Sequence, residues 1–173
     1  MKTVYILRHA KAEQTVGSIG DHERPLNAKG REVAPRVGTY LKAKAYKPDL
    51  ILCSTARRTV ETCELVRPSL GDITVTFENG LYLAEASVIL ERMRRLDDSL
   101  GSVMVIGHNP GLEELADDLS QSPKTPEEER LHRRLREKFA TCSLAVISVP
   151  ARRWRDITPG AGALIDLVRP RDL

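Results

Sequence analysis

The chain has 173 residues, of which 41% are hydrophobic and 29% charged, and its net charge is +3. This length suits a single domain, 1–173, that buries its core without metal or disulfide support. The composition excludes extended disorder and fibrous repeats. Aromatic residues make up 4%, which leaves few stacking platforms, so we expect no nucleic-acid partner.

The cysteine pattern and the N-terminal sequence indicate in which cellular compartment the protein is expected. Cys53, Cys63 and Cys142 are odd in number and lack zinc-type spacing, so neither a disulfide framework nor a structural metal is expected. The predicted apolar strand at 3–7 is too short to be the core of a signal peptide. No apolar run in the sequence is long enough to span a bilayer. We therefore expect a cytoplasmic protein without a membrane partner.

Hydrophobic patterning predicts alternating strands and helices. In chain order, the predicted elements are a strand at 3–7, a helix from Asn27 to about 45, a strand at 50–53, a helix from about 55 to 66, a strand at 73–77, a helix at 88–100, a strand at 102–106, helices at 110–119 and from Thr125, and strands at 143–149 and 162–168. This alternation predicts an α/β fold, a three-layer α/β/α sandwich around a mostly parallel sheet. Ligands of such folds bind at the carboxyl ends of the strands.

The helix from Thr125 is strongly charged. Thr125 and Glu128 have capping-box spacing. Acidic residues fill its first turn, and basic residues follow towards its end, including Arg133 and Arg134. This order complements the helix dipole and favours a solvated helix, with docking of a protein substrate as the open alternative.

Charged residues directly follow three predicted strands. Arg8-His9 follows the first, Ser54 to Arg58 the second, and His108-Asn109 the strand at 102–106. The fold would bring these clusters to one edge of the sheet. Arginine offers a planar fork for phosphate oxygens, and histidine can act as nucleophile or acid, so the combination predicts a phosphoryl site.

These segments resemble the signatures of the histidine phosphatase superfamily. Its Arg-His-Gly signature resembles Leu7-Arg8-His9-Ala10, and its Ser-Pro-x-x-Arg-Ala-x-Gln-Thr string resembles Ser54 to Thr62. Its Val-x-Gly-His block matches Val105 to Gly111. The resemblance spans almost the whole chain and implies a phosphoglycerate mutase-like fold.

The alignment of the second signature places the phosphate-binding arginine at Arg58, with Arg57 as the fallback. Three positions depart from the pattern. Ala10 replaces glycine, Thr55 replaces proline, and Glu61 replaces glutamine. None removes a phosphate ligand, but Ala10 would restrict the backbone beside the nucleophile.

Within the superfamily, the short chain, the segment from Arg24 to Gly30 and the His-Asn-Pro-Gly ending are most similar to SixA-type phosphohistidine phosphatases. The resemblance implies a role in signal transduction. The implied partner is a phosphohistidine-containing protein, either a phosphocarrier or a phosphotransfer domain.

The expected mechanism is covalent. Neutral His9 attacks phosphorus while Arg8, Arg58 and His108 stabilise the charge on the equatorial oxygens. Water then hydrolyses phospho-His9. Two further residues, Arg24 and Asn109, are candidates for substrate binding.

A general acid is harder to place. Glu78 and Glu85 flank the segment where larger relatives carry their acid, although a surface carboxylate is the favoured interpretation of either. Phosphohistidine can leave as a neutral imidazole and depends less on an acid. His22 and His132 are expected to be loop or surface residues. No metal and no cofactor are expected, because carboxylate clusters do not follow the strands.

Two other functions remain open. One is a phosphomonoesterase or mutase that uses the same four residues on a small metabolite, with Glu78 or Glu85 as acid. The other is a phosphoprotein-binding module with weak turnover. The sequence leaves the oligomeric state open.

Overall fold

A computed structural model describes residues 1–15 and 17–173. Its strands are β1 (Lys2–Arg8), β2 (Leu50–Ser54), β3 (Thr74–Glu78), β4 (Ser102–Gly107), β5 (Leu144–Val149) and β6 (Ala163–Val168). Its helices are α1 (Ala28–Ala43), α2 (Arg57–Val66), α3 (Ala86–Arg94), α4 (Gly111–Leu119) and α5 (Pro126–Glu137). No helix in these ranges is long and apolar enough to cross a membrane.

The six strands form one sheet in the order β3-β2-β4-β1-β5-β6. Strands β1 to β4 pair in parallel, and β5 runs antiparallel to both β1 and β6. The expected mostly parallel sheet is confirmed. Arg8 lies opposite Gly107, and Cys53 lies opposite Ile106, so β1, β2 and β4 end at nearly the same level.

Alternation along the strands divides the core into two layers. Val4 and Ile6 of β1 belong to the cluster that includes residues of α3, α4 and α5. Tyr5 and Leu7 belong to the cluster that includes residues of α1 and α2. Both faces of the sheet are thus covered, which confirms the three-layer α/β/α sandwich.

Helix α3 differs most from its prediction. It begins before Val88 and ends at Arg94 rather than at Leu100. The side chain of Asp97 accepts a hydrogen bond from the backbone N–H of Ser99 at 2.8 Å. This local bond competes with the helical pattern and supports a turn.

Helix α5 has the expected cap and charge order. Thr125 accepts a hydrogen bond from the backbone N–H of Glu128 at 3.1 Å, whereas the Glu128 carboxylate accepts from the N–H of Lys124. The capping box is therefore only half formed. The surface placement of His132 was wrong: its side chain is buried, because it lies on the inner face of α5 beside Leu131 and Leu135.

Candidate active site

The two imidazoles His9 and His108 lie side by side at the carboxyl edge of the sheet. The backbone N–H of His9 donates to the carbonyl of Gly107 at 3.2 Å, which continues the pairing of β1 with β4. The ring centroids of His9 and His108 are 5.5 Å apart. Parallel pairing of these two strands therefore places both imidazoles at one point.

The environment of His9 fixes its protonation. Nδ1 lies 2.7 Å from the carbonyl oxygen of Ala10, and a carbonyl only accepts, so Nδ1 carries the proton and Nε2 holds a lone pair. Burial is the main cause that lowers the pKa of His9 to about 4; the hydrogen bond to the Ala10 carbonyl opposes it, and the charges of Arg58, Arg8 and Arg24 add to the lowering. His9 is therefore neutral at physiological pH, as a nucleophile requires.

The position of Ala10 is held by Thr62 on α2. The Thr62 hydroxyl accepts a hydrogen bond from the N–H of Ala10 at 2.9 Å and donates to the carbonyl of Arg58 at 2.7 Å. Ala10 is buried, and its φ is not positive. The expected restriction at Ala10 therefore brings no strain, since this backbone conformation suits any L-residue.

His108 is held between Arg58 and Ser54. Nδ1 of His108 lies 3.3 Å from Nη2 of Arg58, and a guanidinium only donates, so Nδ1 accepts. Nε2 then donates to the Ser54 hydroxyl at 2.7 Å. Burial and the Arg58 charge lower the pKa of His108 to about 3. His108 is neutral as well.

Arg58, rather than Arg57, lies with His9 and His108 in what we call the catalytic cluster. Arg58 is 2% exposed in the first turn of α2, and its guanidinium donates to the backbone carbonyl and the carboxylate of Asp21 at 2.8 and 3.1 Å. Its Nε is buried and has no hydrogen-bond partner among the described residues. Arg57 is half-exposed and pairs with Glu61 at 3.4 Å, so it takes no part in the cluster.

Arg8 and Asn109 share one acceptor. Nη1 of Arg8 donates to the carbonyl of Phe139 at 3.2 Å, and Nδ2 of Asn109 donates to the same oxygen at 2.8 Å. Within residues 1–15 and 17–173, the buried Nε of Arg8 and the buried Oδ1 of Asn109 have no hydrogen-bond partner. The structure therefore brings both residues to the site, with the amide nitrogen of Asn109 already bonded to the segment before β5.

Asp21 connects several site residues that the sequence did not link. Its carboxylate accepts from Arg24 at 3.0 Å, from Arg58, and from the hydroxyl of Tyr82. The Tyr82 bond and the arginines lower the pKa of Asp21 to about 2. Arg24 thus reaches the cluster through this carboxylate.

Tyr82 closes one side of the cluster. Its ring meets the ring of His108 edge-on, with centroids 5.5 Å apart, and meets His22 at 4.8 Å. Sequence reasoning missed Asp21 and Tyr82, and placed His22 only in a loop. These residues lie in irregular segments where no periodicity marks a buried face, so only tertiary structure reveals the contacts.

The two candidate acids lie in different settings. Glu78 accepts two hydrogen bonds from Arg92 at 2.7 and 2.9 Å, and this pairing lowers the pKa of Glu78. Glu85 is exposed at the start of α3, where the adjoining Ala84 carbonyl packs closely against Gly111. In the described ranges, neither carboxylate is hydrogen-bonded to His9, Arg58 or His108.

The cluster is suited to an oxyanion. Within the part of the chain that the structure describes, the Nε groups of Arg8 and Arg58 have no hydrogen-bond partner. Both guanidiniums act on the neutral imidazole of His9, so a phosphoryl group beside it would meet arginine donors. Across residues 1–15 and 17–173, no group of three histidine, cysteine or acidic side chains is arranged to hold a metal ion. The charge available for a phosphoryl group is that of the arginines.

Comparison with known proteins identifies the family. Residues 4–87 match the histidine phosphatase superfamily (branch 1). A protein of Agrobacterium tumefaciens, provisionally named phosphohistidine phosphatase SixA, is 30% identical, with 98% of both chains covered and a TM-score of 0.80. The chain belongs to the histidine phosphatase superfamily.

Other superfamily members and relatives agree over nearly the full length. A structure from Nakamurella multipartitia, also provisionally named SixA, is 26% identical with a TM-score of 0.83, covering 98% of this chain and 96% of the other. An uncharacterized protein of Mycobacterium tuberculosis is 34% identical over 95% of this chain and 100% of its own. The histidine phosphatase fold is therefore shared along the whole chain.

Proposed function

We propose that this protein is a phosphohistidine phosphatase that removes the phosphoryl group from a phosphohistidyl protein through a covalent phospho-His9 intermediate. The observation that carries the proposal is the lone pair of His9 beside two arginines. In the part of the chain that the structure describes, the buried Nε atoms of Arg8 and Arg58 have no hydrogen-bond partner. A buried guanidinium N–H without an acceptor is costly, and a phosphoryl oxygen supplies that acceptor.

The first step is transfer of the phosphoryl group to His9. The Nε2 lone pair attacks phosphorus in line, a new N–P bond forms, and the N–P bond of the substrate breaks. The bonding pair moves to the leaving imidazole, which departs neutral when its other ring nitrogen carries a proton. Arg8 and Arg58 donate to the equatorial oxygens, and His108 joins them by turning its one N–H from the Ser54 hydroxyl to a phosphoryl oxygen.

The second step is hydrolysis. Water attacks the phosphorus of phospho-His9, the N–P bond breaks, and its electron pair returns to Nε2 while inorganic phosphate leaves. Nδ1 remains bonded to the Ala10 carbonyl, so the ring keeps one orientation through both steps. The neutral, lone-pair form of His9 is restored.

The ionisation of the nearby carboxylates supports phosphohistidine over an alkyl phosphate. Asp21 lies against Arg58, and its pKa of about 2 keeps it ionised. Glu78 is engaged by Arg92. An alkoxide leaving group needs a proton donor, whereas the imidazole of phosphohistidine needs little help. The 30%-identical relative of Agrobacterium tumefaciens bears a phosphohistidine phosphatase name, which agrees with this substrate class.

We place the activity in the cytoplasm, where phosphocarrier and phosphotransfer proteins take part in signalling. Cys53, Cys63 and Cys142 are all free and buried. Free thiols are typical of a reducing compartment. The substrate class therefore agrees with the compartment.

The decisive experiment compares substrates. Phosphate release is measured from a phosphohistidine-bearing phosphocarrier protein and from phosphoglycerate, with wild-type protein and His9→Ala. The proposal expects release from the phosphohistidyl protein alone, and its loss in His9→Ala. Preference for phosphoglycerate would indicate a monoesterase and direct attention to Glu85. Binding without release from either substrate would indicate a phosphoprotein-binding module.

A further inference from the structure

A second cationic region lies at the same sheet edge, next to the ends of β1 and β6. It is a cavity of about 490 Å³ whose lining differs from the catalytic cluster. Five cationic side chains and one carboxylate, Glu137, line it. The cations are Lys11, Lys29, Lys138, Arg169 and Arg171.

Most of this positive charge is not neutralised. Across residues 1–15 and 17–173, no carboxylate oxygen lies within 4.0 Å of the side-chain nitrogens of Lys11, Lys138 or Arg171. Glu137 lies 3.9 Å from Arg169, which also contacts Asp172 at 3.5 Å. Like charges around one cavity repel each other, and a bound anion would relieve that repulsion.

The N-terminus of α1 adds to the positive potential. Its first turn contains Lys29 and no acidic residue, whereas the first turn of α5 contains three glutamates. Lys29 lies 3.9 Å from Glu32 in an exposed ion pair, which offsets little of the partial positive charge that a helix N-terminus carries and that favours anions. This arrangement is independent of the lysines on the other walls and points to the same kind of ligand.

The cavity also has the size and floor of a ligand site. Val33 and Cys142 are buried apolar residues in its lining. At Gly30, an added Cβ would lie 2.1 Å from the backbone oxygen of Lys11, so α1 packs tightly against the chain that follows His9. Small-molecule sites commonly occupy about 300–1,000 Å³, with apolar walls and a few polar groups.

We propose that this cavity is a second anion-binding site, for a small molecule that carries two or more phosphate groups. It is distinct from the site at His9, and its existence does not depend on the substrate used there. The wall formed by residues 137–142 connects the two sites. The N–H of Cys142 donates to the carbonyl of His9 at 2.9 Å, and Phe139 accepts from Arg8.

Pyrophosphate is the probe, and calorimetric titration is the measurement. The Arg58→Ala variant weakens anion binding at the catalytic cluster and leaves the cavity lining intact. In that background, Lys11→Gln combined with Lys138→Gln removes two unpaired charges of the cavity. The matched control, Lys42→Gln with Lys124→Gln, makes the same change in charge at exposed lysines elsewhere.

We expect Arg58→Ala to bind one pyrophosphate per chain. Adding Lys11→Gln and Lys138→Gln (the cavity pair) should weaken that binding at least tenfold, whereas adding Lys42→Gln and Lys124→Gln (the control pair) should leave it unchanged. Absence of binding in Arg58→Ala, or equal effects of the two pairs, would overturn the proposal.

Should Arg58→Ala fail to fold, hydrogen exchange in wild-type protein replaces the calorimetric titration. Pyrophosphate should then protect residues 29–33 and 169–171, and the cavity pair should abolish that protection; no protection would equally overturn the proposal.

Discussion

Arg58 and Asp21 form a two-point contact at the centre of the site. The guanidinium of Arg58 donates to the backbone carbonyl of Asp21 at 2.8 Å and to its carboxylate at 3.1 Å. The same carboxylate accepts from Arg24 and Tyr82. The loop before α1 and the start of α2 are thereby held together, and the unpartnered Nε of Arg58 is held in place.

Replacement of Asp21 by alanine should therefore lower kcat/KM. A hydrogen bond between charged groups contributes about 1.5–3 kcal/mol, so we expect a fall of about tenfold to a hundredfold. Glu23→Ala, in the same segment, is the control, because among residues 1–15 and 17–173 the Glu23 carboxylate pairs with His22 alone. Equal activity of Asp21→Ala and wild type would show that Asp21 does not position Arg58.

Arg58 and Arg57 provide a matched pair. Arg58→Lys keeps the charge but loses the planar fork, so kcat/KM should fall about a hundredfold or more. Arg57→Lys, at a half-exposed position, should change it less than twofold, roughly the effect of one surface ion pair. Steady-state kinetics on one substrate measures both variants, and a larger loss in Arg57→Lys would reverse the assignment.

Thr62→Val tests how Ala10 is held. The variant leaves the buried N–H of Ala10 without an acceptor, which should cost about 1–3 kcal/mol of unfolding free energy. Activity should fall as well, because the Ala10 carbonyl orients His9. Denaturant unfolding measures the first effect. Thr39→Val, which removes an exposed hydroxyl on α1, should cost less, and the same cost at both positions would contradict the role of Thr62.

The lowered pKa values of His9 and His108 predict a loss of stability on acidification. An unfolded histidine takes up a proton near pH 6.5, whereas folded His9 does so at about 4 and His108 at about 3. Unfolding free energy should therefore fall as pH drops from about 6.5 towards 4 and 3. At pH 5 the His9 contribution is about 2 kcal/mol.

Denaturant unfolding at pH 7 and pH 5 measures this change. His9→Gln removes the titrating ring and should show a smaller difference between the two pH values than wild type. Titration of the histidine ring protons by NMR gives the two pKa values directly. A midpoint for His9 near 6.5 would contradict the buried, neutral imidazole.

The sequence reveals the parts of the site that directly follow strands. Arg8, His9 and His108 come immediately after buried apolar runs, so the end of each run marks the residue that reaches the sheet edge. Arg58 lies in the first turn of α2, shortly after β2 ends at Ser54. The family signature was needed to choose Arg58 over Arg57 as the phosphate-binding residue. The layered α/β/α arrangement also follows from the patterning, whereas the strand order β3-β2-β4-β1-β5-β6 was not predicted.

Other contacts depend on distant segments. Asp21 and Tyr82 lie 61 positions apart, and nothing local to either residue indicates their pairing. His132 was expected in a loop or at the surface because no partner pattern matched it, yet it is buried on the inner face of α5. Glu78 was considered as an acid because it flanks the segment where larger relatives carry theirs. No local pattern reveals its pairing with Arg92 across 14 positions.

We expect His9 to carry the phosphoryl group during turnover. The most direct test mixes wild-type protein with a phosphohistidine-bearing phosphocarrier protein, quenches in alkali within milliseconds, and maps the phosphorylated peptide by mass spectrometry. We predict a phosphoryl group on His9, with none on His108 and none in His9→Ala. A phosphoryl group on His108, or turnover by His9→Ala at the wild-type rate, would contradict the account.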